Sequence, residues 1–173
     1  VRLPRGGDAQ TLATLKQMRK VARAAAITPD VRGVATTVVA GSGSRAASQI
    51  RALGDWMGPL VSFVRDPYQV EMITDPAVLL RQLKVIGVIA ADCDDVATLA
   101  AALGLSIGMR ARFVVVAFAY GDPKVPAAKK PYEHVFTQLA PPTGPAAWVS
   151  FDFTRQAQDA RAVPIARAAT VEV

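Results

Sequence analysis

The chain is poor in the residues that usually carry metals and disulfides. Its 173 residues include one cysteine and one histidine. A single cysteine excludes an intramolecular disulfide framework and any Cys-rich zinc module. A single histidine excludes a two-His metal site within one chain. Aromatics make up only 6% of the residues, so the basic segments lack the interleaved rings of a single-strand nucleic-acid platform. No run approaches the roughly 18 apolar residues of a membrane span. The longest apolar stretches, Val85–Ala91 and Phe113–Tyr120, suit core strands or buried loops. The first residues, Val1-Arg2-Leu3-Pro4-Arg5, hold no apolar signal-peptide core.

What is present is alanine and an uneven charge. Apolar residues reach 51%, but 32 of the 173 are Ala, and without them the apolar share is ordinary for a globular domain. The net charge is +6, and residues 1–51 alone carry nine Lys/Arg against two Asp/Glu. Residues 52–123 carry five against eight, and residues 124–173 six against four. The basic excess therefore belongs to the N-terminal third, where a solvated helix face is its simplest use. Its sharper use is a patch for an anionic polymer or an acidic partner.

Periodicity divides the chain. Leu12, Leu15, Met18, Ala22 and Ala25 recur at helical spacing, with Asp8 placed to cap. Pro29 opens a second helix reaching about Val39. After the turn Gly41-Ser42-Gly43-Ser44, a third helix carries Ile50, Leu53, Met57, Leu60, Val61 and Val64 on one face. Gly58-Pro59 should kink or split it. A short helix follows Asp75, from about Pro76 to Leu83. Asp92–Ile107 forms a helix stopped by Gly108. Arg112–Tyr120, Tyr132–Leu139 and Ala147–Phe153 read as strands, the last two joined by the turn Pro141-Pro142-Thr143-Gly144-Pro145. Helices followed by an antiparallel meander predict an α+β fold in a single domain. Within it we expect a helical N-terminal part (1–60), a core (61–155) and a C-terminal extension (156–173).

The chemistry converges on three residues. In Ala91-Asp92-Cys93-Asp94-Asp95, Asp92 suits the N-cap and Asp95 then falls at N3. Cys93 is thereby placed in the first helical turn. There the helix dipole and unpaired N–H groups favour a thiolate and can hold a developing oxyanion. Asp94 and Asp95 oppose the thiolate, so Cys93 needs a positive partner, and His134 is the only imidazole. His134 and Asp152 are each nine residues from Thr143 at the centre of the turn. Symmetric pairing would make them direct cross-strand neighbours, with Cβ atoms roughly 4.5–5.5 Å apart. A nucleophile, a base and an orienting carboxylate are the parts of a thiol acyl-transfer enzyme.

These residues also carry a resemblance. Asp92-Cys93-Asp94-Asp95 with its Ala/Leu helix and Gly108, then Arg110-Ala111-Arg112-Phe113-Val114, resembles the core of transglutaminase-like proteins of the papain-like cysteine group. His134-Val135-Phe136 and Trp148-Val149-Ser150-Phe151-Asp152 resemble that family's His and Asp motifs, in the same order. The resemblance covers roughly residues 60–155. Val64 to Glu71, Pro76–Leu80 and the helical N-terminus further resemble its small bacterial and tailed-phage branch. The resemblance implies a papain/transglutaminase-like core with the Cys-bearing helix packed on an antiparallel sheet. It makes Cys93 the nucleophile, His134 the general base and acid, and Asp152 the orienter. Oxyanion candidates are the Cys93 backbone, Tyr68, Gln69 and Gln82.

The expected activity is acyl transfer from a protein or peptide amide through a thioester. Hydrolysis by a peptidase or amidase is favoured over crosslinking, since nothing marks a dedicated amine site. The alternative is a phage-type virion or assembly protein that keeps the fold as a structural adaptor and binds phage structural proteins. The expected location is a bacterial cytoplasm, or a virion if phage-encoded. No cofactor or metal is expected. Asp92-x-Asp94-Asp95 fails as an EF-hand loop because its sixth and twelfth positions are Ala97 and Leu103. Nucleic acid is not expected as a specific ligand.

Overall fold

The computed structural model describes residues 7–66, 72–119, 124–145, 147–154 and 163–173. Among these residues the architecture is α+β: five helices, a four-stranded antiparallel sheet and a small two-stranded parallel sheet.

Helix α1 (Gly7–Ala26) buries Leu15, Met18, Ala22, Ala25 and Ala26, and holds Asp8 within its first turn. Its opposite flank exposes Lys16, Lys20 and Arg23, so much of the basic N-terminal charge is a solvated face. Pro29 starts α2 (Pro29–Val39), and the Thr28 hydroxyl donates back to Ala25 O at 2.7 Å. Helix α3 (Ala46–Met57) buries Ile50, Leu53 and Met57. Gly58–Leu60 then tightens into a 3-10 turn, and the chain leaves the helix. Val61 and Val64 do not extend the apolar face of α3, as their spacing suggested. Val61–Phe63 is strand β1, and it pairs in parallel with β2 (Ile89–Ala91), Val61 opposite Ile89. Between them runs α4 (Pro76–Ile86). Asp75 Oδ1 caps it by accepting from Ala77 N at 2.8 Å, and Gly87 ends it at φ 76°. The stretch Val85–Ala91 is not uniformly buried: Val85, Ile86 and Val88 face solvent, while Ile89 and Ala91 enter the core.

Helix α5 (Cys93–Ser106) is the centre of the molecule. Residues Asp94 to Gly104 are all buried. A helix that is apolar on every side must be surrounded, and Ala97, Ala100, Ala101, Ala102 and Gly104 are small enough to let its neighbours close in. Helices α1, α2 and α4 pack on one side and the large sheet on the other. That sheet has the order β5-β4-β3-β6, from β3 (Arg110–Phe118), β4 (His134–Ala140), β5 (Val149–Phe151) and β6 (Ile165–Glu172). Its inner face sets Ala111, Phe113, Val115, Val135 and Leu139 into the main core. Its outer face carries a smaller cluster of Val114, Val116 and Phe118, with Phe136 and Val163 against it.

Two further features differ from the sequence-based expectation. Residues 165–172, assigned no element above, form β6 and pair along β3 from Arg112↔Glu172 to Phe118↔Ile165. The β4–β5 register is Thr137↔Phe151, Gln138↔Ser150 and Leu139↔Val149. This pairing is centred on Gly144, which takes φ 83°, and not on Thr143. Extended by one residue, it sets Asp152 opposite Phe136, so Asp152 and His134 are diagonal and not direct neighbours.

Candidate active site

The site is built where α5 and β4 begin. The two elements run in the same direction. The Thr137 hydroxyl donates to Ala97 O at 2.6 Å, and further along the Leu139 side chain lies against Gly104. Their first residues, Cys93 and His134, therefore come to the same end of the molecule. Both line one cavity of about 560 Å³.

Cys93 is the first residue of α5 and is half-buried. Asp92 adopts the extended N-cap conformation, and its Oδ1 accepts from Asp95 N at 3.4 Å. Asp94 Oδ1 accepts from the same N–H at 3.0 Å. Asp95 in turn accepts from Thr74 N, which ties the segment before α4 to the helix start. Asp92, Asp94 and Asp95 bring carboxylate oxygens within 4.8 Å of one another. Each already accepts a backbone N–H, so the cluster is accounted for by the helix cap. Crowding has an electrostatic cost. Burial pushes the Asp95 carboxyl up to about 6, opposed by the Thr74 N–H and reinforced by the charges of Asp92 and Asp66. Burial also raises Asp66, against the bond from Met72 N, with Asp92 adding to the rise.

His134 is 4% exposed. Opposite it stands Val116, and its ring stacks with Phe118 and with Phe136, at centroid distances of 6.3 and 6.0 Å, which sets it beside the outer-face cluster of the sheet. Its Nε2 lies 2.9 Å from Asp152 Oδ1. Its Nδ1 is buried and has no hydrogen-bond partner among the described residues. The diagonal arrangement is thus close enough for hydrogen bonding, although diagonal cross-strand positions sit about 7–8 Å apart at the backbone.

Helix α1 supplies a wall that sequence reasoning missed. Gln10, Thr11 and Thr14 line the cavity, as do Phe63 at the end of β1 and Arg65 just after it. The available signal was the polar interruption of the α1 apolar stripe, where Thr11 and Thr14 precede Leu15 and Met18. A clamp fixes this wall. The Arg167 guanidinium on β6 pairs with Asp8 through two bonds, 3.0 and 2.6 Å, and its Nε donates to Lys130 O at 2.7 Å. It also lies 4.1 Å from the centre of the Tyr132 ring. The pairing holds the Asp8 carboxyl below the ordinary carboxylate range. Of the expected oxyanion donors, Gln82 sits on α4 and does not line this cavity. Tyr68 and Gln69 lie outside the described residues.

The fold has a counterpart among solved structures. A proposed protease from Parabacteroides distasonis aligns with 89% of this chain at TM-score 0.54 and 10% identity. The chain shares its fold with that protein. A proposed cysteine protease from Cytophaga hutchinsonii aligns with 82% of the chain at TM-score 0.49 and 18% identity. The chain covers 35% and 47% of the length of these two proteins. At such identities the likeness concerns fold alone. No family profile matches the sequence, and no curated protein is significantly similar to it. Among the described residues, no helix is long and apolar enough to cross a membrane.

Proposed function

We propose that the protein is a thiol acyl-transfer enzyme of the transglutaminase-like kind that hydrolyses a peptide amide. The observation that carries this reading is that Cys93 and His134 line one cavity, with His134 Nε2 2.9 Å from Asp152 Oδ1 and Nδ1 without a hydrogen-bond partner among the described residues. A carboxylate can only accept, so Nε2 keeps its proton and Nδ1 carries the lone pair. In this reading Nδ1 takes the proton of Cys93, and the thiolate attacks the amide carbonyl. The Cys93 backbone N–H at the start of α5 holds the oxyanion. Nδ1–H then protonates the leaving amine; Nδ1, free again, takes a proton from a water whose oxygen attacks the thioester carbonyl, and the C–S bond breaks to release the carboxylic acid and return the sulfur as thiolate. Asp152 fixes the tautomer and balances the imidazolium as it forms.

The single cysteine makes the test unambiguous, since any alkylation reports on Cys93. The native protein should react with iodoacetamide at neutral pH at least tenfold faster than His134→Ala. Release of aminomethylcoumarin from peptide amides should vanish in Cys93→Ala. Equal alkylation rates in native and His134→Ala protein, or amide hydrolysis that persists in Cys93→Ala, would overturn the reading.

A further inference from the structure

The large sheet carries a second chemical surface on the side away from α5. Strand residues alternate between faces, so Arg110 and Arg112 share the outer face with Val114. The register continues that face across the ladder, with Arg112 opposite Gln138 and Gln138 opposite Ser150. Trp148 stands two residues before Ser150. The guanidinium carbons of Arg112 and Arg110 lie 4.2 and 5.2 Å from the centre of its ring. Arg112 Nε donates to Gln138 Oε1 at 2.8 Å, and Gln138 Nε2 donates to Ser150 Oγ at 3.0 Å. Arg112 is thus fixed by a ring and by a chain of two hydrogen bonds. Arg110 is braced by the same ring.

Neither guanidinium has an anion. Among the described residues neither forms an ion pair. The Nη groups of Arg112 and the N–H groups of Arg110 have no hydrogen-bond partner among them either. Glu172 stands opposite Arg112 on β6, yet the two do not pair. Stacking occupies the flat face of a guanidinium and leaves its N–H edge to donate. The Ser150 hydroxyl accepts from Gln138 and keeps its own proton to donate. Every uncommitted polar group on Arg110, Arg112 and Ser150 is therefore a donor. A carboxylate, with two oxygens and one charge, is filled by a single guanidinium fork. Two forks suit a group with three acceptor oxygens and close to two negative charges, which is a phosphate monoester. We infer that Arg110, Arg112 and Ser150 bind a phosphate monoester, with Trp148 and Gln138 as positioning residues. The site lies on the sheet face opposite α5 and does not depend on the proposed acyl transfer.

The test uses full-length Cys93→Ala protein, so that the proposed activity consumes no probe. The probes are fluorescein-labelled pentapeptides Ala-Ala-X-Ala-Ala, with X as phosphoserine, Glu or Ser. Fluorescence anisotropy should show the phosphoserine peptide binding about tenfold more tightly than the Glu peptide, with the Ser peptide weakest. Raising the salt from 50 to 500 mM should weaken binding. Phenyl phosphate as competitor separates the sources of the group. Displacement near the dissociation constant of the phosphopeptide assigns the site to small phosphate esters. Displacement only at far higher concentration assigns it to a phosphorylated protein side chain. Arg112→Lys keeps the charge but loses the fork, and should weaken binding about threefold to tenfold. Arg110→Gln with Arg112→Gln should abolish the preference for phosphoserine over Glu. Trp148→Leu should weaken binding, and Trp148→Phe, which keeps a ring beside the guanidiniums, should restore most of the loss. Arg51→Gln, the same charge change at an exposed position of α3, should leave the preference alone. Equal affinity for the phosphoserine and Glu peptides would overturn the inference. So would a preference that survives the double substitution in protein that unfolds at the parent's temperature.

Discussion

Helix α5 and strand β4 lie side by side, and their two ends are built on different principles. At the far end Gly104 lets Leu139 pack directly against the helix, and the Leu139 side chain is fully buried. At the near end stand a half-buried thiol, three carboxylates around the cap and an imidazole whose Nδ1 is unengaged among the described residues. Close packing gains dispersion and excludes water. The near end gives up that gain and keeps polar groups at a cavity. The contrast suggests a division of labour: the far end, with the Thr137–Ala97 bond between, sets the alignment that the near end uses.

Three substitutions test that division, taken from the largest effect to the smallest. Asp152→Asn keeps an acceptor shape but allows the wrong imidazole tautomer. It should slow peptide-amide hydrolysis by about 10²–10⁴-fold, while thermal unfolding stays close to that of the parent. A loss of stability with normal hydrolysis would place Asp152 with the packing end. Gly104→Ala forces a methyl into the Leu139 side chain and should cost about 2 kcal/mol in urea unfolding, despite alanine's better helix propensity. Hydrolysis per folded molecule should change little; a collapse in rate at full folding would show that the two ends are coupled more tightly than described.

Asp95→Asn has the smallest effect of the three. The Asp95 carboxyl is held at about 6, against an ordinary 3.8. The native state therefore binds more protons than the unfolded state between these values. Its contribution to stability is present below the ordinary carboxylate range and is lost as pH rises towards 6. Asn removes that slope. The variant should be more stable than the parent at pH 7 by on the order of 1–2 kcal/mol, and the two should converge below pH 4. A parent whose stability is flat between pH 4 and 6.5 would contradict this.

Much of this division was legible in the sequence, for local reasons. Asp92, Asp75, Pro29 and Gly108 act through their own turns, and the helix boundaries near them follow from a cap or a stop, whereas α4 runs past the expected Leu83 to Ile86, where Gly87 ends it. Cys93 at the helix start needed only the Asp92 cap. What depended on distant partners was harder. Val61 and Val64 matched a helical stripe, and only the pairing with Ile89–Ala91 makes Val61–Phe63 a strand. The small residues of Ile165–Glu172 hide an edge strand that gains its structure from β3. The β4–β5 register shifted because the backbone turns at Gly144, where φ is positive and glycine is at ease. Gln10, Thr11 and Thr14 could not be joined to Cys93 by spacing, since the contact is tertiary.

The Arg167–Asp8 clamp has a consequence in time. It joins residues 159 apart in sequence, so its closure carries nearly the full loop entropy of the chain. Contacts of that separation form late on the folding route. We therefore predict that the wall α1 gives to the cavity is fixed after the α5–sheet core has formed. Arg167→Ala should accelerate unfolding and leave the refolding rate nearly unchanged in stopped-flow measurements. A slowed refolding rate would instead place the clamp in the nucleus. With the clamp forming last, the nascent chain passes through a folded core before it holds a finished cavity.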